Sequence, residues 1–206
     1  MKIKKTWFVV AVLIALNLTA FAGVKYVKTW KNPEGQPGTW KGKKVVVFAG
    51  TLMKDGRQGA EQAMVRELTK LGIQAIPAYT AIPPAAEKDL ELARRILTNE
   101  GIAGALIMRV TDIRDETMVG GGQAYYMGPT YNSFYGCYGS GWNVVPLDIR
   151  TKTTLVVETL VYSVVQDKLL WTGTSEAKNP EKVDKLINQL IGATRDEIKK
   201  AGLVGK

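Results

Sequence analysis

Carboxylates flank the centre of this chain, and they are the side chains best suited to acid–base chemistry. Asp112 and Asp115 precede a glycine-rich tract, and Glu158 follows it. If neighbouring strands bring these three together, they resemble a glycosidase pair or a site for a hard cation. The competing interpretation, which we favour, is that they are solvated or pair with nearby arginines, namely Arg109, Arg114 and Arg150.

The chain contains no histidine. This excludes serine triads with a histidine base, cysteine–histidine pairs and zinc or iron sites built from histidine. A phosphate cradle is also disfavoured, because Gly50, Gly56 and Gly59 match neither the dinucleotide nor the Walker spacing. We therefore predict no catalytic residue, no metal and no cofactor. The chain is predicted not to be an enzyme, with a carboxylate-dependent hydrolase as the alternative.

The tract at 118–145 has the most unusual composition in the chain. Between Gly120 and Trp142 it holds seven glycines and five of the eight tyrosines, and it carries no charge. Glycine frees the backbone, and tyrosine offers a large amphipathic face, a combination typical of recognition surfaces. We predict a binding loop whose contact residues are Tyr125, Tyr126, Tyr131, Phe134, Tyr135, Tyr138 and Trp142.

Three uses of this loop stay open, together with the alternative that it only covers the sheet. It can bind an envelope protein partner or a second copy of the chain, dock at a membrane interface, or stack against a carbohydrate. We favour protein interaction or self-association; a glycan-binding protein is an alternative. Cys137 is the single cysteine, so it is either a free thiol or an intermolecular crosslink.

The amino terminus has the three parts of a secretory signal, at residues 1–22. Basic residues precede an apolar run, and Ala20, Phe21 and Ala22 form a small-x-small site, so we predict cleavage after Ala22. This predicts a periplasmic or secreted protein. An uncleaved membrane anchor is the alternative.

The formal net charge of the 206 residues is +9, and the lysines are spread along the chain. Without a nucleic-acid-binding motif, this distribution predicts no nucleic acid partner. A basic surface that faces anionic lipid, a polysaccharide or an acidic partner fits the charge better.

Hydrophobic patterning predicts one α/β domain. Residues 23–44 are predicted to be an extended lead-in with turns, and 45–206 a single domain that carries the tract as an insertion. The predicted order is β-α-β-α-β, the insertion, and then β-β-α, which gives a mixed sheet in a two-layer or three-layer α/β (α+β) fold. In the first helix, Glu61 is predicted to lie on the surface.

A family resemblance depends on several structural motifs: the segment TWKNP, the strand KKVVVFAG, the helix with Arg57 and Glu61, the strand GIAGALIMRVTD and the hairpin LVVETLVYSVVQDKLLWTGTSEA. On these motifs the chain resembles a family of bacterial periplasmic and envelope proteins. Their layout is similar to the amino-terminal domain of TolB and to the globular part of the curli secretion lipoprotein. The resemblance implies an α/β fold and an envelope location, with no catalytic residue to transfer. Unlike the lipoprotein members, this chain has no cysteine at the predicted cleavage site.

Overall fold

The computed structural model describes residues 23–34, 40–50, 54–115, 129–140, 153–178 and 183–204. The predicted signal peptide and its cleavage site lie outside these residues. The strands are β1 (Val24–Lys31), β2 (Lys44–Gly50), β3 (Gln74–Pro77), β4 (Ile102–Asp115), β5 (Thr153–Ser163) and β6 (Lys168–Lys178). The helices are α1 (Lys54–Thr69), α2 (Ala78–Ala81), α3 (Leu90–Asn99), α4 (Phe134–Gly139) and α5 (Val183–Lys200).

The six strands form one mixed sheet in the order β1-β6-β5-β4-β2-β3. Strands β3, β2 and β4 are parallel, whereas β4, β5, β6 and β1 pair antiparallel. Parallel neighbours require crossover connections, and α1 and α3 supply them. The predicted mixed α/β fold is confirmed, and it has three layers.

Each face of the sheet has its own hydrophobic core, because successive residues of a strand point to opposite sides. On one face, α1 and α5 cover the first core, which includes Val45, Val47, Met64, Leu68, Leu106, Leu155 and Leu190. On the other face, α2, α3 and α4 cover the second, which includes Val46, Phe48, Ala93, Leu97, Ile107, Phe134 and Leu160.

The sequence predicts a helix that begins at Pro84, with Leu90, Ala93 and Leu97 on one face, but the structure divides it. Residues Pro84–Ala86 form a 3-10 turn, and α3 begins four residues later at Leu90. Asp89 is the reason, because its side chain accepts a hydrogen bond from the Leu92 amide at 2.9 Å and caps the helix.

The main difference from the predicted architecture lies in residues 23–44, where we expected turns rather than a regular element. Residues 24–31 form β1, which joins the sheet beside β6. Tyr26 holds it there, since its hydroxyl is hydrogen-bonded to Thr159 at 2.9 Å and to Thr194 at 2.7 Å.

Trp40, in the same segment, is fully buried. It lies so close to Gly104 on β4 that a side chain at that position would overlap the indole. The glycine is therefore required for this contact. Among the described residues, no helix is long and apolar enough to cross a membrane.

Candidate functional site

The described part of the aromatic tract, residues 129–140, folds back over the sheet, and we call it the aromatic cap. A 3-10 turn (Pro129–Asn132) leads into α4. Its buried residues belong to the same core as those of α3. The cap is thus part of the outer layer of the fold.

A polar clamp fixes the start of α4. The Ser133 hydroxyl accepts a hydrogen bond from the Gly136 amide at 2.9 Å, as a helix N-cap does. The same hydroxyl donates to Asp167 at 2.7 Å, and the Tyr135 amide donates to the other oxygen of that carboxylate at 3.0 Å. Asp167 lies in the β5–β6 turn with a φ of 50°. These hydrogen bonds therefore join the aromatic cap to the turn between β5 and β6.

Aromatic packing holds the cap against the sheet. Phe134 is fully buried, and its ring centroid lies 6.0 Å from that of Phe48 and 5.8 Å from that of Tyr162. Tyr135 and Tyr138 lie 5.0 and 6.2 Å from the same ring. Tilted and edge-to-face pairs of this kind contribute about 0.5–1.5 kcal/mol each beyond their buried area.

The buried tyrosine hydroxyls act as hydrogen-bond donors. Tyr138 donates to the Ala86 carbonyl at 2.9 Å, and burial raises the pKa of Tyr138 to about 12. Tyr162 donates to the Tyr131 carbonyl at 2.8 Å, and burial raises its pKa as well, with the neighbouring Cys137 adding to the shift. Both phenols stay protonated at neutral pH and are unsuited to serve as bases.

The structure therefore places four of the seven predicted contact residues inside the fold. Tyr131, Phe134, Tyr135 and Tyr138 are each at most 8% exposed. The other three, Tyr125, Tyr126 and Trp142, lie outside the described residues, and a binding role for them stays a prediction.

Cys137 is also fully buried, and burial raises the pKa of its thiol. A buried, protonated thiol is a poor nucleophile. The predicted crosslink would require the cap to open.

Beneath the cap lies a buried ion pair. Arg109 on β4 stands opposite Glu158 on β5, and its Nε and Nη2 donate to one carboxylate oxygen at 2.8 and 2.6 Å. Arg109 Nη1 donates to the Tyr131 hydroxyl at 2.6 Å, and the guanidinium carbon lies 4.4 Å from the centroid of that ring. Burial lowers the pKa of Arg109, but Glu158 and Tyr131 outweigh it and raise the pKa overall. The pair joins the cap to the middle of the sheet.

Two of the three carboxylates predicted for the alternative hydrolase are engaged by arginines. Glu158 is bound by Arg109, and Asp112 accepts a hydrogen bond from Arg114 Nε at 2.9 Å. Arg114 also pairs with Glu176 at 3.1 Å. The Asp115 side chain lies outside the described residues. Within the described part of the chain, no group of acidic or cysteine side chains is placed to hold a metal ion.

Glu61 is a polar contact that the sequence analysis placed wrongly. Expected on the surface, it is fully buried near the middle of α1. Its carboxylate accepts hydrogen bonds from the Ala49 amide at 3.1 Å, the Tyr79 amide at 3.1 Å and Arg57 Nε at 2.9 Å. It thereby ties the end of β2 to α1 and α2.

The two edges of the sheet differ. One edge is β3, which is only four residues long and ends at Pro77, a residue without an amide hydrogen. Short edge strands and proline both protect a sheet from adding further strands. The other edge is β1, which is eight residues long. Among the described strands, β1 is therefore the long edge.

β1 also carries two of the three large hydrophobic side chains that are exposed in the described part of the chain. Val27 is 51% exposed and Trp30 is 43% exposed; the third, Val165, lies in the β5–β6 turn. Three exposed lysines, Lys25, Lys28 and Lys31, stand among them on the same strand. We call residues 24–31 the basic edge.

The comparisons with known proteins give similarities of fold. No protein-family model and no curated protein matches the chain. Among solved structures, the chain is similar to the PelC dodecamer from Paraburkholderia phytofirmans, with 14% identity and a TM-score of 0.49, covering 89% of this chain and 99% of that one. A variant of the same dodecamer in another crystal form gives 16% identity, 87% and 99% coverage, and a TM-score of 0.48.

The chain is also similar to lipoprotein GNA1162 from Neisseria meningitidis. The identity is 13%, the match covers 77% of this chain and 99% of that one, and the TM-score is 0.39.

Proposed function

We propose that this chain is a non-enzymatic envelope protein, periplasmic or secreted, that binds another protein through its basic edge. The observation that carries the proposal is the exposure of Val27 and Trp30 on the long edge strand of the sheet. Exposed hydrophobic side chains on the edge strand of a sheet are typical of surfaces that add a strand from a partner.

The carboxylates and tyrosine hydroxyls described above already have partners within the fold, which supports a role other than catalysis. Glu158 and Asp112 are engaged by arginines, and Glu61 is engaged by backbone amides. The buried tyrosines donate hydrogen bonds and keep their protons. These groups stabilise the fold. In this proposal the aromatic cap supports the sheet, and the basic edge makes the contact.

The expected result of replacing both Val27 and Trp30 with threonine is loss of the partner from in-cell chemical crosslinking with mass identification. Threonine keeps a strand-forming side chain, so β1 is retained while the apolar contact area is removed. Because both side chains are about half exposed, the free energy of unfolding should change by less than about 1 kcal/mol.

The matched control is Val165→Thr, which removes an even more exposed valine, 79% accessible, from the β5–β6 turn. Its crosslinking pattern should equal that of the unchanged protein. A partner that is retained at the same level by the double variant would contradict the proposal.

A further inference from the structure

We infer that the basic edge takes an extended acidic segment of a partner protein, which adds to the sheet as a seventh strand beside β1. This inference rests on the proposed function and specifies the chemical class of the partner. Three features of the described residues support it: a fixed edge backbone, a concentration of positive charge, and an apolar contact between the charges.

The backbone of β1 is held in place before any partner arrives. On its inner side, seven residues pair in register with β6. At its end, Lys31 Nζ donates to the Ala201 carbonyl at 2.6 Å, and the Asn32 amide donates to the Leu170 carbonyl at 2.8 Å. A preformed edge lowers the ordering cost of binding. Eight residues at about 3.3 Å each offer a partner strand about 26 Å of backbone.

The charge of the edge selects an acidic occupant. Lys25, Lys28 and Lys31 are exposed within seven positions of one strand. Glu176 stands opposite Lys25 on β6 but also pairs with Arg114 at 3.1 Å, and Glu34 pairs with Lys168 at 3.2 Å. Opposite charges facing each other across neighbouring strands are favourable.

The same lysines disfavour a second copy of this chain as the occupant. An antiparallel pairing of two β1 strands centred on Lys28 sets Lys28 directly against Lys28, and Lys25 of each strand lies on the same face. Like charges directly opposite one another are destabilising. The bulge between Tyr26 and Lys28 further interrupts a regular pairing of β1 with itself.

The lysines and the tryptophan share one face of β1. Trp30 stands in register with Thr172 on β6, Lys28 with Thr174 and Lys25 with Glu176, so these side chains lie on the face opposite α5. A segment in which acidic residues alternate with β-branched ones places all its acidic side chains on this face, and its β-branched residues favour the extended conformation.

The test uses the mature chain and a synthetic eight-residue peptide in which glutamate alternates with valine and threonine. Saturable binding in an NMR titration is expected, with the largest shifts at β1 amides. Replacing Lys25 and Lys28 with glutamine should weaken binding about tenfold, and Lys31 is kept because its Nζ holds the end of β1. The control replaces Lys43 and Lys88, which are exposed lysines elsewhere, and should leave the dissociation constant within about twofold.

Two further peptides separate strand addition from simple attraction. A peptide of equal charge in which proline replaces the valines and threonines loses half of its amide N–H groups and cannot pair regularly as a strand, so it should not bind. A peptide with lysine in place of glutamate should not bind either. Equal binding of the proline peptide, or of the lysine peptide, would overturn the inference, as would capture of vesicles of anionic lipid at β1 without capture of the acidic peptide.

The two proposals fail in different ways. If Val27→Thr/Trp30→Thr abolishes crosslinking in cells but the acidic peptide does not bind, the partner class is wrong and the binding surface stands. If that variant retains the partner, the surface itself is wrong.

Discussion

Replacing Glu158 with alanine should lower the free energy of unfolding by about 3–5 kcal/mol, because the substitution leaves a buried arginine without its counter-ion. The Arg109 guanidinium is bound by Glu158 through two nitrogens and lies beneath the aromatic cap. The free energy of unfolding decreases by about 2 kcal/mol per molar urea, so the denaturation midpoint should fall by about 2 M. Far-UV circular dichroism during a urea titration measures this midpoint.

A double variant distinguishes loss of the ion pair from loss of packing. Replacing Arg109 with methionine and Glu158 with leucine removes both charges and keeps apolar volume, so most of the lost stability should return. The matched surface control is Glu100→Ala, whose partner Lys44 is 3.7 Å away and well exposed, and it should cost less than about 1 kcal/mol. A double variant as unstable as Glu158→Ala would contradict this explanation.

Replacing Glu61 with alanine should be similarly costly, again by about 3–5 kcal/mol. The substitution leaves the Ala49 and Tyr79 amides without their acceptor, and each buried unsatisfied donor costs about 1–3 kcal/mol. Arg57 also loses a hydrogen bond of 2.9 Å. Since the lost contacts join β2, α1 and α2, hydrogen exchange should accelerate in these three elements.

The comparison with Arg57→Ala tests which contact of Glu61 matters most. Arg57 is 26% exposed and pairs with Glu87 as well as with Glu61, so water can replace much of what it supplies. We expect Arg57→Ala to cost about 1 kcal/mol. If the two alanine variants were equally unstable, the ion pair rather than the backbone amides would be the main contribution.

Much of the fold was accessible from the sequence because the central strands and helices have strong periodicity. The run of valines in β2 specifies a strand buried on both faces, and the apolar face of α5 specifies a helix with one buried side. β1 was missed because its lysines make the segment polar, and the bulge after Tyr26 breaks the alternation. Its position in the sheet depends on β6 and α5, which lie far away in the sequence.

The aromatic tract shows why composition alone does not predict which of its rings are buried. Tyrosine and glycine are typical of both recognition loops and packed turns, and composition does not distinguish exposed rings from buried ones. The spacing of Phe134, Cys137 and Tyr138, at three and four residues, is the signal of one helical face, and it matches the buried side of α4. Glu61 was misplaced because its spacing from Arg57 is also that of an ordinary surface ion pair.

The most direct test of the binding surface is a photo-crosslinking amino acid at position 27, compared in cells with the same group at position 126. The basic edge and the undescribed part of the aromatic tract are thereby examined separately. Our account predicts that Val27 replaced in this way yields a defined crosslinked protein that position 126 does not yield. A partner captured at position 126, with none at position 27, would contradict the account and return the binding role to the tract.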